Sequence, residues 1–375
     1  MRLKAFLYIF TLTFCISGIV QATDFSQWQN RLKITFSGYT TNDTLADFPV
    51  LVKVGTNLTG FSYAQIASVQ GYDIRFSDET RSQELSYEID KWDTNGTTYI
   101  WVKVPELKKD SAIWMFWGNS AQTQQQTYTT NGLVWTENYK GVWHLREDET
   151  NYSSSTISYK DATTNHYNGT YSYAGTVQPP RSKAGKIAEG QEFRGPGYYI
   201  GDGIACGTAL NFSSNDFTIS VWVNPNAIRT SYFMSKDYSW NSGYDWYFVQ
   251  SGTNVAFYGQ SNLFSSTKGG FAAGQWTQVS FVRENNNGYL YANGEKIGGP
   301  YDVSTMVLSN SRTLRIGRRD SLYAAAFGGS LDEIQISGTA RSPAWLRAAW
   351  LNQTSNSVFQ TYSTVHMQGP IFMGW

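Results

Sequence analysis

Apolar residues recur along much of this chain at every second position, in short runs bounded by Gly, Asn, Asp or Pro. Leu32, Ile34 and Phe36 share one strand face, Val50, Val52 and Val54 a second, and Ile100, Val102 and Val104 a third. Side chains of a strand alternate between its two faces, so each triplet predicts a strand with one face toward a core. Ser111 to Trp117 is apolar almost throughout, which predicts a strand buried on both faces and closed by Gly118-Asn119. After a Gln- and Thr-rich stretch at 120–130 the pattern resumes. Its clearest strands are Phe217 to Val223, Trp246 to Gln250, Val255 to Tyr258, Trp276 to Arg283, Gly288 to Tyr291 and Leu314 to Gly317. A single helix is well signalled. Ser342 can cap it, Pro343 suits its first position, and Trp345, Leu346, Ala349 and Trp350 form an apolar stripe within Ala344 to Leu351. No repeat at a solenoid or propeller period is present.

The amino-terminal segment has a different pattern. Arg2 and Lys4 precede an apolar run from Ala5 to Val20 that is too short for a comfortable membrane span, and Val20-Gln21-Ala22 fits a signal-peptidase site. This predicts export, with a chain beginning near Thr23; a membrane anchor is the alternative. No later stretch is apolar enough to cross a bilayer as a helix. The expected location is secreted, periplasmic or at the cell surface. Without Arg2 and Lys4 the chain carries 27 Lys plus Arg against 29 Asp plus Glu, a net of −2. That near-neutrality excludes electrostatic capture of nucleic acid. Only Cys206 remains beside the leader's Cys15, so no disulfide is expected within the processed chain and stability has to come from packing. An aromatic fraction of 16% supplies the material for that packing.

The second half resembles the laminin-G/concanavalin A-like jelly roll. The resemblance rests on Trp143-His144-Leu145, Asp161-Ala162-Thr163-Thr164-Asn165 with Asn168-Gly169-Thr170, and Asp216 to Val223. It continues through Gln275 to Val279, Tyr291-Ala292-Asn293-Gly294, Ile316-Gly317 and Gly329 to Ile334, before the Arg341-Ser342-Pro343 helix start. Asn293-Gly294 is the two-residue turn that such a hairpin needs. The first region resembles a small bacterial exported β-domain family of unknown function. That likeness is carried by Arg31 to Ile34, Phe48 to Val52, Asp73 to Phe76, Tyr87 to Asp93, Trp101 to Pro105 and Trp117-Gly118-Asn119. The expected organisation is all-β: a leader at 1–22, an antiparallel β-sandwich at 23–128, a linker at 129–136, the jelly roll at 137–362 with one short C-terminal helix, and a tail at 363–375.

The fold implied by the resemblance hosts lectins, adhesion modules and some glucanases, so function has to be argued from sites. Glu88-Ile89-Asp90-Lys91-Trp92-Asp93 is the nearest thing to a glucanase motif. Glu88, Asp90 and Trp92 share a strand face, but Asp93 points the other way, and a retaining pair needs carboxyl groups about 5 Å apart. The expectation is therefore an exposed strand face with a surface ion pair. The three His, at 144, 166 and 366, show no triad or metal spacing; His144 reads as a packed strand residue and Cys206 as a small buried filler.

Two binding readings remain. Asp237, Tyr238, Trp240, Asn241 and Tyr244 mix aromatic faces with polar donors in a loop, which suits a sugar whose C–H face stacks while its hydroxyls are held. The resemblance also implies a structural calcium ion at Asp161, Asn165 and Asp332, with an Asx-turn loop without metal as the alternative. The expected function is an exported, non-catalytic carbohydrate-binding or adhesion-type protein. A structural or envelope-complex component binding another protein, and a glycan-degrading hydrolase, are the competing readings.

Overall fold

Where the sequence alternates, strands form and pair with their neighbours antiparallel. The computed structural model describes residues 23–148, 157–171, 179–196, 203–237, 245–260, 262–319 and 326–368. The expected leader at 1–22, and Tyr238, Trp240, Asn241 and Tyr244 of the expected ligand loop, lie outside the described residues.

The first sandwich faces a six-stranded sheet with a three-stranded one. In the larger sheet Asn30–Thr35 pairs Ala112–Trp117, which pairs Arg75–Asp78 and then Glu84–Leu85. The smaller sheet runs Leu45–Val54, Thr98–Leu107, Tyr87–Lys91. The alternating triplets Leu32, Ile34, Phe36 and Val50, Val52, Val54 all enter the core between them.

The chain's last segment returns to this sandwich. Thr361–Tyr362 and His366–Met367 both pair with Asn30–Thr35, in registers Ile34↔Tyr362 and Arg31↔His366. Trp345, Ala348 and Phe359 join the same core, as do Val134, Trp135, Tyr139 and Val142. The expected linker at 129–136 and the boundary at 362 therefore differ from what forms. A polar, Gln-rich approach signals exposure, but Val134 and Trp135 just beyond it are 1% exposed.

Leu45–Val54 is an edge strand, and an edge leaves N–H and C=O groups without a ladder partner. Asn352 supplies one from the Pro343–Thr354 helix: its Oδ1 accepts from Leu51 N–H at 2.7 Å and its Nδ2 donates to Leu51 C=O at 3.1 Å. Asn356 and Gln360 donate to the same carbonyl, at 2.8 and 3.2 Å. The side chains act as a missing neighbouring strand. Gly38 permits the close approach, since a Cβ there would meet Val358 C=O at 2.2 Å.

The second sandwich stacks two eight-stranded sheets around its own core, which includes Phe217, Ile219, Val221 and Val223 as their alternation predicts. Asn293 and Gly294 take φ of 52° and 74°, the left-handed pair expected of that hairpin turn. One sheet centres on Phe217–Pro225, Thr277–Glu284 and Gly328–Ser337. Its outer face is covered: Leu346 of the helix packs on Val282 and Tyr291, and the Trp222 indole donates to Gln353. The other sheet contains Ser231–Lys236, Trp246–Ser251, Asn254–Gly259 and Asn262–Ser265 as consecutive neighbours. On its outer face Tyr232, Val249 and Ala256 are buried, Tyr247 and Tyr258 half-buried and Leu263 exposed.

Phe359→Ala empties a fully buried site beside Phe36 and is expected to lower unfolding free energy by about 3–5 kcal/mol. Asn352→Ala leaves the Leu51 N–H without its partner and is expected to cost about 1–3 kcal/mol. Urea unfolding measures both, and a loss below about 1 kcal/mol for Phe359→Ala contradicts a core role for the returning segment.

Candidate functional site

On the second of these sheets, strand alternation sends Trp246 and Phe248 inward and Tyr247 and Val249 outward, while Phe257 goes inward and Tyr258 outward. Cross-strand register then aligns Tyr247 with Tyr258 and Tyr258 with Leu263. The two phenol rings stack with centroids 4.5 Å apart and planes within 2°. Leu263 is 54% exposed at the end of this row. At the other end Tyr232 meets Tyr247 edge-on at 5.0 Å, and the Arg319 guanidinium lies 4.6 Å from the Tyr247 ring centroid and 5.2 Å from that of Tyr232. Burial pushes the Tyr247 hydroxyl up to about 12, so it remains a donor.

Asp237 does not act as an open loop donor. It is fully buried and ion-paired with Arg319, so its charge is spent on fixing the guanidinium over the rings. A carboxylate in a polar, aromatic loop reads as a ligand contact until its partner, 82 residues later, is known. Its effect is to hold one end of the row in place.

A second constellation sits where the two sandwiches meet. The Gly328–Ser337 strand slips register against Phe217–Pro225 between Ser220 and Trp222, and Glu333 takes a left-handed φ of 47° there. A bulge of this kind lets two successive residues leave the core face. Leu331 and Ile334 belong to the core, while Asp332 and Glu333 are buried toward the first sandwich. On the strand's other edge, Glu189–Arg194 pairs up to Leu331 and Tyr139–Trp143 begins at Ile334, so the two acids fall in the gap between them. A further bulge, between Ile89 and Lys91, frees Asp90 from the ladder.

His144 lies between these bulges. Its Nδ1 is 2.7 Å from Glu333 Oε1, its Nε2 is 3.7 Å from Glu88 Oε1, and the Trp101 and Trp135 rings pack against it at 6.0 and 5.4 Å. Trp135 donates its indole N–H to Glu88 Oε2 at 2.9 Å. Arg146 donates to Ile89 C=O, Asp90 C=O and Asp90 Oδ1 at 2.9, 2.5 and 3.0 Å. Burial by itself would lower the His144 pKa, but Glu333, Asp90 and Glu88 outweigh it and raise it well above the usual imidazole range. Burial, reinforced by Glu333 and Glu88, pushes Asp90 up to about 6 against the pull of His144 and Arg146. Burial would also raise Glu88, yet His144, Arg146 and Trp135 hold it below its ordinary value. Glu88, His144, Arg146, Glu147, Lys160 and His166 line a cleft of about 380 Å³ that opens from this cluster.

The exposed strand face expected at 88–93 is thus largely an interface, and Glu88 reaches the cleft while Asp90 lies beneath Arg146. His144 is packed as expected, but among three acids. The sequence does carry one signal of this: Asp332-Glu333 places two adjacent acids between core residues Leu331 and Ile334, which period-2 alternation cannot put on one surface without a bulge.

The residues expected to hold calcium take part in loop hydrogen bonding. Asp161 accepts from Thr163 N–H, Thr163 O–H and Tyr167 N–H in its own turn and from Val142 N–H in the neighbouring strand. Asn165 donates to Lys140 C=O, and Asp332 accepts from Ile187 N–H in another turn. They behave as caps of separate loops. In the cleft, Arg146→Met removes the cation that offsets Asp90 and Glu88, and a loss of about 3 kcal/mol is expected in urea unfolding at neutral pH; an unchanged midpoint contradicts the charge balance described.

Comparison with known proteins follows this division of the chain. Residues 199–347 match the model of the concanavalin A-like lectin/glucanases superfamily, and residues 70–139 match that of a domain of unknown function, DUF2341. No curated protein matches the chain. Similar solved structures include domain 4 of AbnA, an extracellular arabinanase from Geobacillus stearothermophilus, in complex with arabinotriose. It is 22% identical with a TM-score of 0.39, over 56% of this chain and 98% of that one. The binding domain of paraclostridial mosquitocidal protein 1 is 14% identical with a TM-score of 0.43, over 57% of this chain and 52% of that one. A SAP-like pentraxin from Limulus polyphemus is 16% identical with a TM-score of 0.36, over 42% and 80%. The second sandwich has a jelly-roll fold and is similar, over residues 199–347, to the concanavalin A-like superfamily, and residues 70–139 are similar to a domain of unknown function.

Proposed function

We propose that this chain binds glycan, without cleaving it, at the half-buried tyrosine row on the outer face of the second sheet of its second sandwich. The observation that carries the reading is the row formed by Tyr232, Tyr247, Tyr258 and Leu263, flanked by the Arg319–Asp237 pair. A sugar offers one apolar C–H surface and a rim of hydroxyls. The half-buried Tyr247 and Tyr258 rings with their phenol donors complement both, and the rings lose little freedom on binding because they are already packed. The ligand class agrees with the lectin/glucanase superfamily that residues 199–347 match. The signal-like segment at 1–22 supports export, which would present this face to extracellular or envelope polysaccharide.

Affinity electrophoresis of the full chain through a panel of polysaccharides, followed by a glycan array, tests this. Tyr247→Ala and Tyr258→Ala are expected to weaken retention at least tenfold while thermal unfolding stays cooperative. Failure of every glycan to retain the wild-type chain, or unchanged retention in both variants, sinks the proposal. Release of reducing ends by the wild-type chain replaces binding with hydrolysis, and capture of an envelope protein together with silence on all glycans replaces it with protein recognition.

A further inference from the structure

The acid–histidine cluster at the junction of the sandwiches takes no part in the sugar face. We propose that Asp90, His144 and Glu333 form a binding site for one divalent transition-metal ion, so that the ion ties the two sandwiches together.

Three observations converge on this. Asp90, His144 and Glu333 each offer a donor atom, and the three atoms lie within 4.8 Å of one another, a spread that small side-chain movements contract onto an ion at ligand distances of about 2.0–2.2 Å. The residues are 7%, 4% and 2% exposed. His144 Nε2 is buried and has no hydrogen-bond partner among the described residues, although it faces Glu88 Oε1 at 3.7 Å. The nitrogen beside Glu333 is Nδ1, at 2.7 Å, so the ion would take the place of the proton between them, while an Nε2–H facing Glu88 keeps the imidazole in the tautomer that leaves Nδ1 free to ligate.

Charge supports the same assignment. With the imidazole neutral, as a metal ligand must be, Glu88, Asp90 and Glu333 against Arg146 leave a net of −2, which one divalent cation cancels. The donor set decides the kind of ion. Calcium and magnesium favour all-oxygen cages, whereas an imidazole with carboxylates suits zinc, manganese or cobalt. Arg146 fixes the Asp90 carboxylate from behind, and Trp135 holds Glu88 facing His144 Nε2, the orienting role of groups just outside a metal's ligands. Glu88 and His144 line the cleft, which provides a path from solvent.

The test uses the tag-free full chain, stripped with chelator and titrated with cobalt(II) under visible absorption, with zinc and calcium in parallel calorimetric titrations. One cobalt(II) per chain is expected, with ligand-field bands, competition by zinc, weak or absent calcium binding, and a rise in melting temperature on loading. His144→Gln and Glu333→Gln are expected to lose at least tenfold in affinity and to lose the thermal shift, while His166→Gln in the same cleft keeps both. Circular dichroism identifies a variant that does not fold, and Asp90→Asn then takes its place. Absence of stoichiometric binding by the wild-type chain, tighter binding of calcium than of zinc, or wild-type affinity in the folded ligand variants overturns the proposal. Because Tyr247 and Tyr258 lie on the far sheet, their alanine variants should bind metal normally, which separates this result from the outcome for glycan.

Discussion

Asn352 exchanges two hydrogen bonds with the backbone of Leu51, 301 residues earlier in the chain, and Asn356 and Gln360 add theirs to the same carbonyl. Amides of this kind are costly to bury without partners, and an edge strand is costly to leave bare, so each side satisfies what the other leaves over. The exchange holds the C-terminal helix against the first sandwich. From that position Trp345, Ala348 and Phe359 can enter its core, and Thr361–Tyr362 can reach Asn30–Thr35. The two sandwiches are consequently joined through continuous packing rather than through an exposed tether.

The same junction explains why so many charges are buried there. Packing that excludes water around Trp101 and Trp135 also encloses Glu88, Asp90, His144 and Glu333, and charges in such a place have to compensate one another. Two bulges aim them, and Arg146 occupies the backbone carbonyls that one bulge exposes. On the far sheet of the jelly roll the outward tyrosines are half-buried or buried, with Leu263 exposed at the end of their row.

Local rules account for what was legible in the sequence. Period-2 alternation located the faces of Leu32, Val50 and Phe217, and Asn293-Gly294 specified its own turn. Ser342 caps its helix through a 3.2 Å bond from Trp345 N–H, as its position before Pro343 implies. The helix's apolar stripe was visible too, but not that Leu346 would serve one sandwich and Trp345 the other. The candidate sites were harder to see because their partners are distant in sequence. Glu333 lies 189 residues from His144, and Arg319 lies 82 from Asp237, so neither pairing has a short-range signature. The Tyr247–Tyr258 stack was hidden for another reason: alternation shows that both rings point outward, yet only the register Tyr247↔Tyr258 brings them side by side.

The pairing of Asn30–Thr35 with Thr361–Tyr362 also imposes a timetable on biogenesis. Translation yields the strands up to Trp117 long before the residues that complete their sheet, separated by about 250 codons, or roughly 10–50 s at usual elongation rates. During that interval the nascent chain can assemble its later sandwich while the earlier one stays open at the surfaces destined for Trp345 and Phe359. Of these two sandwiches, the one begun earlier is thus completed later, once Trp345 to Tyr362 have been made.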